Sequence, residues 1–387
     1  MREARPSRGC VSQFTISPRP RIDLGGGAIA DEIFGGLGYL SEVPSAGRDF
    51  LSRLGVPKGA LRDRHELFRS FIRQAKSFYE AASVLHYRAA PLNYYYSFLN
   101  LTKAYICINH PTYVQGRIPH GLGYQFKETG LSSQRINVGP INGVFPRFYE
   151  KLVGTPVPVK LKKLQIDRVL GYCSDITFEY EKVSGSNHRN ASARVRLMAA
   201  NNSAHAYAMM ALPKARREVI KEFGSASKVF DKYFEEVALP KNSLVVFGLR
   251  ENFDFGQGEI QQVEFYESRQ LYDLNADGKV PVQTISQDVY SAVKPFFMSS
   301  VMKNEGDFVL SAPLLKRSAI SFNEILAIYC VMFYLGSLVR YNPRYLDATF
   351  SSKYGWLIER FTKSTPLTFL RHIGNLIEHH DRVFFVR

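Results

Sequence analysis

Leu92–Asn109, LNYYYSFLNLTKAYICIN, decides the architecture, because it is apolar around almost its whole circumference. A helix of that kind has no solvent face of its own and belongs at the centre of a packed unit. Pro91 suits the first turn of such a helix, and His110-Pro111 ends it. One stripe breaks the pattern, since Asn93, Ser97, Asn100 and Lys103 follow one another at helical spacing. A second apolar run, Ile325–Val339 (ILAIYCVMFYLGSLV), is closed by Arg340 and falls short of the roughly 20 residues that a bilayer span needs. A buried core helix is therefore expected there, with no membrane involved.

Working outward, Leu61, Phe68, Ile72, Ala75, Tyr79, Ala82 and His86 share one face of an amphipathic helix. Its opposite face carries Arg69, Arg73 and Lys76, bracketed by Glu66 and Glu80. Helices are also expected at Val289–Met302, Glu324–Tyr341, Tyr345–Thr362 and Leu367–Phe384. Between the helical ends lie β-rich runs at Asp175–Val183, Arg194–Ala199, His205–Leu212, Ser243–Leu249 and Gln261–Glu267, with Lys214–Val237 as a helix or helix pair. The chain thus divides into a Gly/Pro/Arg-rich leader (1–45), an N-terminal helical part of the core (46–130), a strand-rich insertion with basic clusters (131–285) and a C-terminal helical part (286–387). The leader is expected to be loosely wrapped or a small docking segment. The strands do not alternate regularly with helices, so the expected class is α+β, a helical bundle closed by the two ends with a strand layer inserted.

The 387 residues are 45% hydrophobic and 22% charged, the usage of a globular protein. Fifty Lys and Arg against 35 Asp and Glu leave a formal charge of +15, which excludes an acidic solvating chain and makes a polyanion the first partner to test. Cys10, Cys107, Cys173 and Cys330 are scattered with no C-x-x-C pair, as in a reducing compartment. The opening residues MREARPSRGCVSQ lack the apolar stretch of a secretory signal, so a cytoplasmic protein is expected.

The motifs with known chemistry are incomplete. Asp273-Leu-Asn275-Ala-Asp277-Gly278 copies the first half of a calcium loop, but its ninth and twelfth positions are Pro281 and Thr284. A polar turn is the better reading. Gly256-Gln-Gly258 lacks the third dinucleotide glycine, and neither a phosphate loop nor G-x-S-x-G occurs. His372, His379 and His380 lie beside Glu378 and Asp381 without a third element, and read as a solvated or partner-facing cluster. No metal or cofactor is expected. Three basic clusters stand in the strand-rich part: Lys160 with Lys162 and Lys163; Arg189 with Arg194 and Arg196; Lys214 with Arg216 and Arg217. Each alone reads as a solvated face. With Tyr180, Tyr207 and Phe223 they supply the cations and rings of a single-strand nucleic-acid surface.

Three stretches in order, Pro91–Lys103, His120-Gly-Leu122 and Gly336–Pro343 (GSLVRYNP), resemble the YaaC-like family of bacterial proteins over about residues 60–387. The family's biochemical role is poorly defined, so the resemblance bears on fold more than on activity. The YYSFLNLTKAYI helix followed by the loop His120-Gly-Leu-Gly-Tyr-Gln-Phe126 is also similar to the core of HEPN helical domains, which are common in toxin, defence and RNA-processing systems. Their RNase members carry Arg, four to six residues, then His. Here Arg117 to His120 is too short and Arg371 to His379 too long. That likeness implies a non-catalytic HEPN-like scaffold.

Polar groups on a buried helix cost about 1–3 kcal/mol each when unpaired, so the Asn/Ser/Lys stripe and Arg340 need partners. One reading gathers Asn100, Lys103, His120 and Arg340 around an anionic or nucleotide-like ligand. The other, which is favoured, is a polar network that pins two helices in register. The expected function is a binding or regulatory module for nucleic acid or nucleotide, in stress or phage defence by fold analogy. The alternatives are a nuclease or nucleotide hydrolase using His120 as catalytic residue with Lys103 and Arg340, and a subunit that docks a protein partner or a second copy of itself.

Overall fold

The computed structural model describes residues 3, 7–13, 21–24, 29–125, 130–140, 142–158, 161, 163–185, 190–200, 204–213, 225–238, 249, 251, 253, 259–277, 279–293, 307–311, 322–378 and 383–386. Helices in chain order are α1 (Ile29–Glu42), α2 (Pro44–Arg53), α3 (Leu61–Ser83), α4 (Ala90–Cys107), α5 (Gly130–Ser133), α6 (Val144–Val153), α7 (Ile166–Leu170), α8 (Thr177–Ser184), α9 (Ser225–Tyr233), α10 (Val282–Val293), α11 (Glu324–Tyr341), α12 (Pro343–Phe350) and α13 (Gly355–Glu378). Strands are β1 (Ser7–Gln13), β2 (Arg21–Leu24), β3 (Leu122–Gln125), β4 (Arg135–Val138), β5 (Lys163–Gln165), β6 (Asn190–Ala200), β7 (His205–Pro213), β8 (Phe234–Val237), β9 (Val263–Ser268), β10 (Tyr272–Asp273), β11 (Asp307–Ser311) and β12 (Val383–Val386). Helix and sheet are thus both present in quantity, as in an α+β protein. They fall into two compact units, one of Met1–Arg21 with Arg189–Asn323 and one of Ile22–His188 with Glu324–Arg387.

In the helical unit α4 is the hub, packed on α3, α11, α13 and α6. Its apolar circumference is accounted for by these neighbours: Phe98 stacks on Phe369 of α13 at 3.9 Å, and Tyr95 meets Tyr329 and Phe333 of α11 edge-on. Helix α11 reaches α4 closely because Gly336 faces the Pro91 carbonyl, where a Cβ would lie only 3.2 Å from that oxygen. The C-terminal carbonyls of α4 are met by cations, as helix ends favour. Arg64 Nη1 donates to the Cys107 and Ile108 carbonyls, and Lys151 Nζ to that of Tyr105. Burial pushes the Lys151 amine down to about 8. The sheet β3–β4–β5 is antiparallel and lies beside these helices in the same unit.

The other unit is built on an antiparallel sheet ordered β1-β6-β7-β9-β8, with β11 also on β6 and β10 on β7. Strand β7 is buried on both faces and accordingly reads as a continuous apolar run. Ala206, Ala208, Met210 and Leu212 face a core shared with Phe230 of α9 and with Ile285 and Val289 of α10. Tyr207, Met209 and Ala211 face a second core with Phe253 and Phe265.

Several expected elements differ. Asp175–Val183 is helical, as a 3-10 turn Ser174–Ile176 leading into α8. Its β-favouring residues are overridden by packing on α13, where Glu179 is 7% exposed and pairs with Arg360 at 2.9 Å. The leader contains α1, whose Ile33, Phe34 and Leu37 are buried, with Phe34 against Tyr79 at 5.3 Å. Its glycines hid that apolar spacing. The last two expected helices become α12 and a longer α13 that runs through Pro366. The helix expected at Val289–Met302 starts earlier, at Val282, with 294–302 outside the described residues, and the described part of Lys214–Val237, residues 225–237, is α9 followed by strand β8. Except for Leu249, Ser243–Leu249 lies outside the described residues.

Candidate functional site

A cavity of about 260 Å³ opens between α4, α11 and the segment from His120 into β3, and its lining contains no carboxylate. Tyr95 and Tyr96 come from α4, Tyr124 from β3, and Gly336, Ser337, Arg340 and Tyr341 from α11. The pocket exists because Gly121 takes a left-handed φ of +76°, and its Cα comes within 2.3 Å of where a Cβ on Gly143 would stand. That close approach lets the His120 carbonyl accept the Phe145 N–H at 3.0 Å and the Pro119 carbonyl accept that of Val144, so the N-terminus of α6 anchors the loop.

The polar atoms of the wall are paired in a definite way. The Tyr95 hydroxyl lies 2.7 Å from His120 Nδ1. Arg340 Nη1 donates to the Tyr96 hydroxyl at 2.5 Å, and Asn342 Nδ2 donates to that of Tyr124 at 2.7 Å. Arg340 and His120 both retain exposed surface. Partial burial, then the positive charges of Lys103 and Arg340, hold the His120 imidazole below its ordinary pKa. Burial drives the Tyr95 phenol well above its ordinary range, so it stays protonated. In the tautomer whose Nδ1 accepts the phenol proton, Nε2–H is left as a donor. In that tautomer the cavity offers two sets of N–H donors, guanidinium and imidazole, between aromatic walls.

Of the four residues expected at this site, His120 and Arg340 share the cavity, whereas Asn100 and Lys103 do not line it. Asn100 is buried and its Nδ2 donates to the Tyr96 carbonyl one turn back. The Lys103 ammonium lies over the Phe71 ring at 5.6 Å, and burial lowers its pKa. Ser97 donates to the Ala75 carbonyl of α3 at 2.8 Å. The polar stripe of α4 thus faces α3 and its own backbone. The tyrosines of the wall are not among the candidate site residues read from the sequence, although Tyr95 and Tyr96 stand in the run Tyr94-Tyr95-Tyr96, and Tyr124 and Tyr341 in the stretches His120–Phe126 and Gly336–Pro343.

Of the basic residues expected at a nucleic-acid surface, Lys163, Arg194 and Arg196 are among the described residues. Lys163 is exposed on β5 in the helical unit. Arg194 Nη1 donates to the Phe253 carbonyl at 2.8 Å, and Arg196, 7% exposed, stands over the Phe253 ring at 5.6 Å. These two arginines hold Phe253 against β6. Tyr180 and Tyr207 are core residues, at 3% and 0% exposure, and present no ring to solvent. Lys160, Lys162, Arg189, Lys214, Arg216, Arg217 and Phe223 lie outside the described residues.

His372 is not solvated as expected. It is buried, with Nε2 at 3.2 Å from Glu324 Oε2, while Glu324 Oε1 accepts the Ser174 N–H at 2.5 Å. Its partner lies 48 residues away at the start of α11, which no local spacing could reveal. His379 and His380 lie outside the described residues. In the calcium-like stretch Asp273 pairs with His205 and Asp277 with Lys279. No cluster of three or more potential metal ligands occurs among the described residues.

Fold and cavity together define the class, a mixed α+β protein whose helical unit carries a small aromatic pocket with cationic donors. The sequence model of the family described as YaaC-like Protein matches residues 51–377, and the chain belongs to that family. The chain matches none of the curated proteins and none of the solved structures.

Proposed function

We propose that this YaaC-like protein is a cytoplasmic, non-catalytic binding or regulatory module, HEPN-like in its helical core, whose pocket takes the phosphate and base of a nucleotide or of a nucleic-acid end. One observation carries the reading: Arg340 and His120 share a cavity with Tyr95, Tyr96, Tyr124 and Tyr341 and with no carboxylate. Guanidinium N–H groups suit phosphate oxygens, and a phenol ring accepts a base on its face. The likeness to HEPN domains supports a role in stress or phage defence. Titration calorimetry at about 50 mM salt, with nucleoside monophosphates and short single-stranded oligonucleotides, tests it. Binding is expected to weaken with added salt and to fall roughly tenfold or more in Arg340→Ala, the loss of a charge-assisted bond. Absence of binding by every probe, or binding indifferent to Arg340→Ala, sinks the proposal.

The alternative enzyme reading, a nuclease or nucleotide hydrolase, has one observation in its favour: a neutral imidazole beside a fixed phenol is suited to proton transfer. It requires turnover that His120→Ala abolishes while the melting temperature stays near that of the wild type.

A further inference from the structure

A second cavity, of about 330 Å³, lies in the strand-rich unit between α9, α10 and the turn after β9. Its lining includes Lys232, Tyr233, Arg269, Gln270, Asp288 and Ser291. The pocket brings charges of both signs together without letting them neutralise one another. Asp288 Oδ2 accepts the Tyr272 hydroxyl at 2.9 Å, and the Tyr233 hydroxyl lies 2.6 Å from that of Tyr272. Tyr272 has one proton and gives it to the carboxylate, so Tyr233 must donate to Tyr272. The relay leaves the lone pairs of Tyr233 Oη and the second Asp288 oxygen as acceptors, and among the described residues Asp288 forms no ion pair.

The cationic side is equally fixed. The Arg269 N–H donates to the Tyr233 carbonyl at 2.8 Å, which ties the turn to the end of α9. Ser268 Oγ accepts the Ala208 N–H at 3.0 Å and donates to the Gln270 carbonyl at 2.9 Å. Arg269 Nε donates to the Asp231 carbonyl, and its Nη1 stands 3.6 Å from Glu235, outside the cavity lining. Lys232 is exposed and has no carboxylate partner among the described residues. Tyr272 is 5% exposed and α10 is seated on the core by Ile285, Val289 and Ala292, so the helix that carries Asp288 is held in place and its Ala292 lines the cavity.

We infer that this cavity is a binding site for a small zwitterion of the free α-amino acid type, its ammonium on Asp288 and Tyr233 and its carboxylate on Arg269 and Lys232. A pinned carboxylate attracts the ammonium, the two cations attract the carboxylate, and a cavity of this size suits a small ligand. The site belongs to a different unit from the aromatic pocket and is independent of it.

The test uses the full chain and free α-amino acids, at millimolar concentration, in thermal-shift and calorimetric titration. At least one amino acid is expected to raise the melting temperature and bind saturably. Its N-acetyl derivative and its methyl ester, each lacking one charge, should bind roughly tenfold weaker or worse, and so should Asp288→Asn. If Asp288→Asn fails to fold, Tyr272→Phe removes the relay but keeps both charges, and should weaken binding without abolishing it. Absence of binding by every amino acid overturns the inference. So does equal binding of the blocked derivatives, or a response to inorganic phosphate alone.

Discussion

Helix α11 carries a charged residue at its first position and another in its last turn, and the two are treated in opposite ways. Glu324 is 2% exposed, with one oxygen on the Ser174 N–H and the other facing His372. Arg340 is exposed, bonded to one phenol, and open to a cavity without a carboxylate. Burial penalises the Glu324 carboxylate, but the hydrogen bond and charge of His372 and the Ser174 N–H outweigh it and hold its pKa below the ordinary value. A charge that the fold requires has its partners inside the protein. A guanidinium with five N–H groups and one partner has donors left for a ligand.

The largest effect that would break this contrast is at the buried end. Removing one member of a buried pair strands the other, at about 3–5 kcal/mol. Glu324→Ala should therefore destabilise the protein by about that much in urea titrations near neutral pH, whereas Arg340→Ala should stay within about 0.5 kcal/mol. The pH dependence has a fixed sign. Because the folded pKa of Glu324 is lowered from 4.5, its stabilisation is complete above that value and is lost as pH falls through the folded pKa. Equal destabilisation by the two variants would erase the distinction between the ends.

The same contrast explains what could be read in advance. Both core helices were legible because they are apolar around most of their circumference, and α4 and α11 fall where LNYYYSFLNLTKAYIC and ILAIYCVMFYLGSLV place them. Arg340 stood out as the charge closing an apolar run, and His120 as a polar residue in the loop soon after α4. The remainder depends on contacts distant in sequence. Asn100 and Lys103 share a stripe with Ser97, but only the position of α3 turns that stripe away from the cavity. Asp175–Val183 looks like a strand until α13 supplies Arg360 for Glu179 and a threonine, Thr368, that donates to Asp175. Arg194 and Arg196 read as a basic cluster in the sequence, and only the fold brings Phe253, more than 50 residues on, against them.

An intermediate effect belongs to the turn that builds the pocket. In Gly121→Ala the methyl would meet Pro146 Cδ at 2.4 Å, in a backbone conformation with φ of +76°. Left-handed strain of about 1–2 kcal/mol plus overpacking of about 1–3 predicts a loss of roughly 2–5 kcal/mol. Binding at the aromatic pocket should weaken as well, since His120 is the preceding residue. Gly154→Ala is the control, because that glycine has φ of +79° with open space around it and should lose only the strain. If the two alanine variants melt together, the close approach of Gly121 to the α6 entry is not what shapes the site.

The smallest effect decides how far the open end extends. Lys103 does not line the cavity, yet its charge is a stronger influence on the His120 imidazole than that of Arg340. Because His120 is held below 6.5, the unfolded chain takes up a proton first on acidification. Stability from this residue is therefore lost as pH falls from about 6.5 towards the folded value. Lys103→Gln should raise the folded pKa of His120, more than Arg340→Gln does, and so narrow that window. Histidine ring signals followed by NMR across the acid range measure it directly. An unmoved His120 in Lys103→Gln would confine Lys103 to its packing on Phe71. A raised value would make it a distant charge that keeps the imidazole neutral where a ligand would meet it.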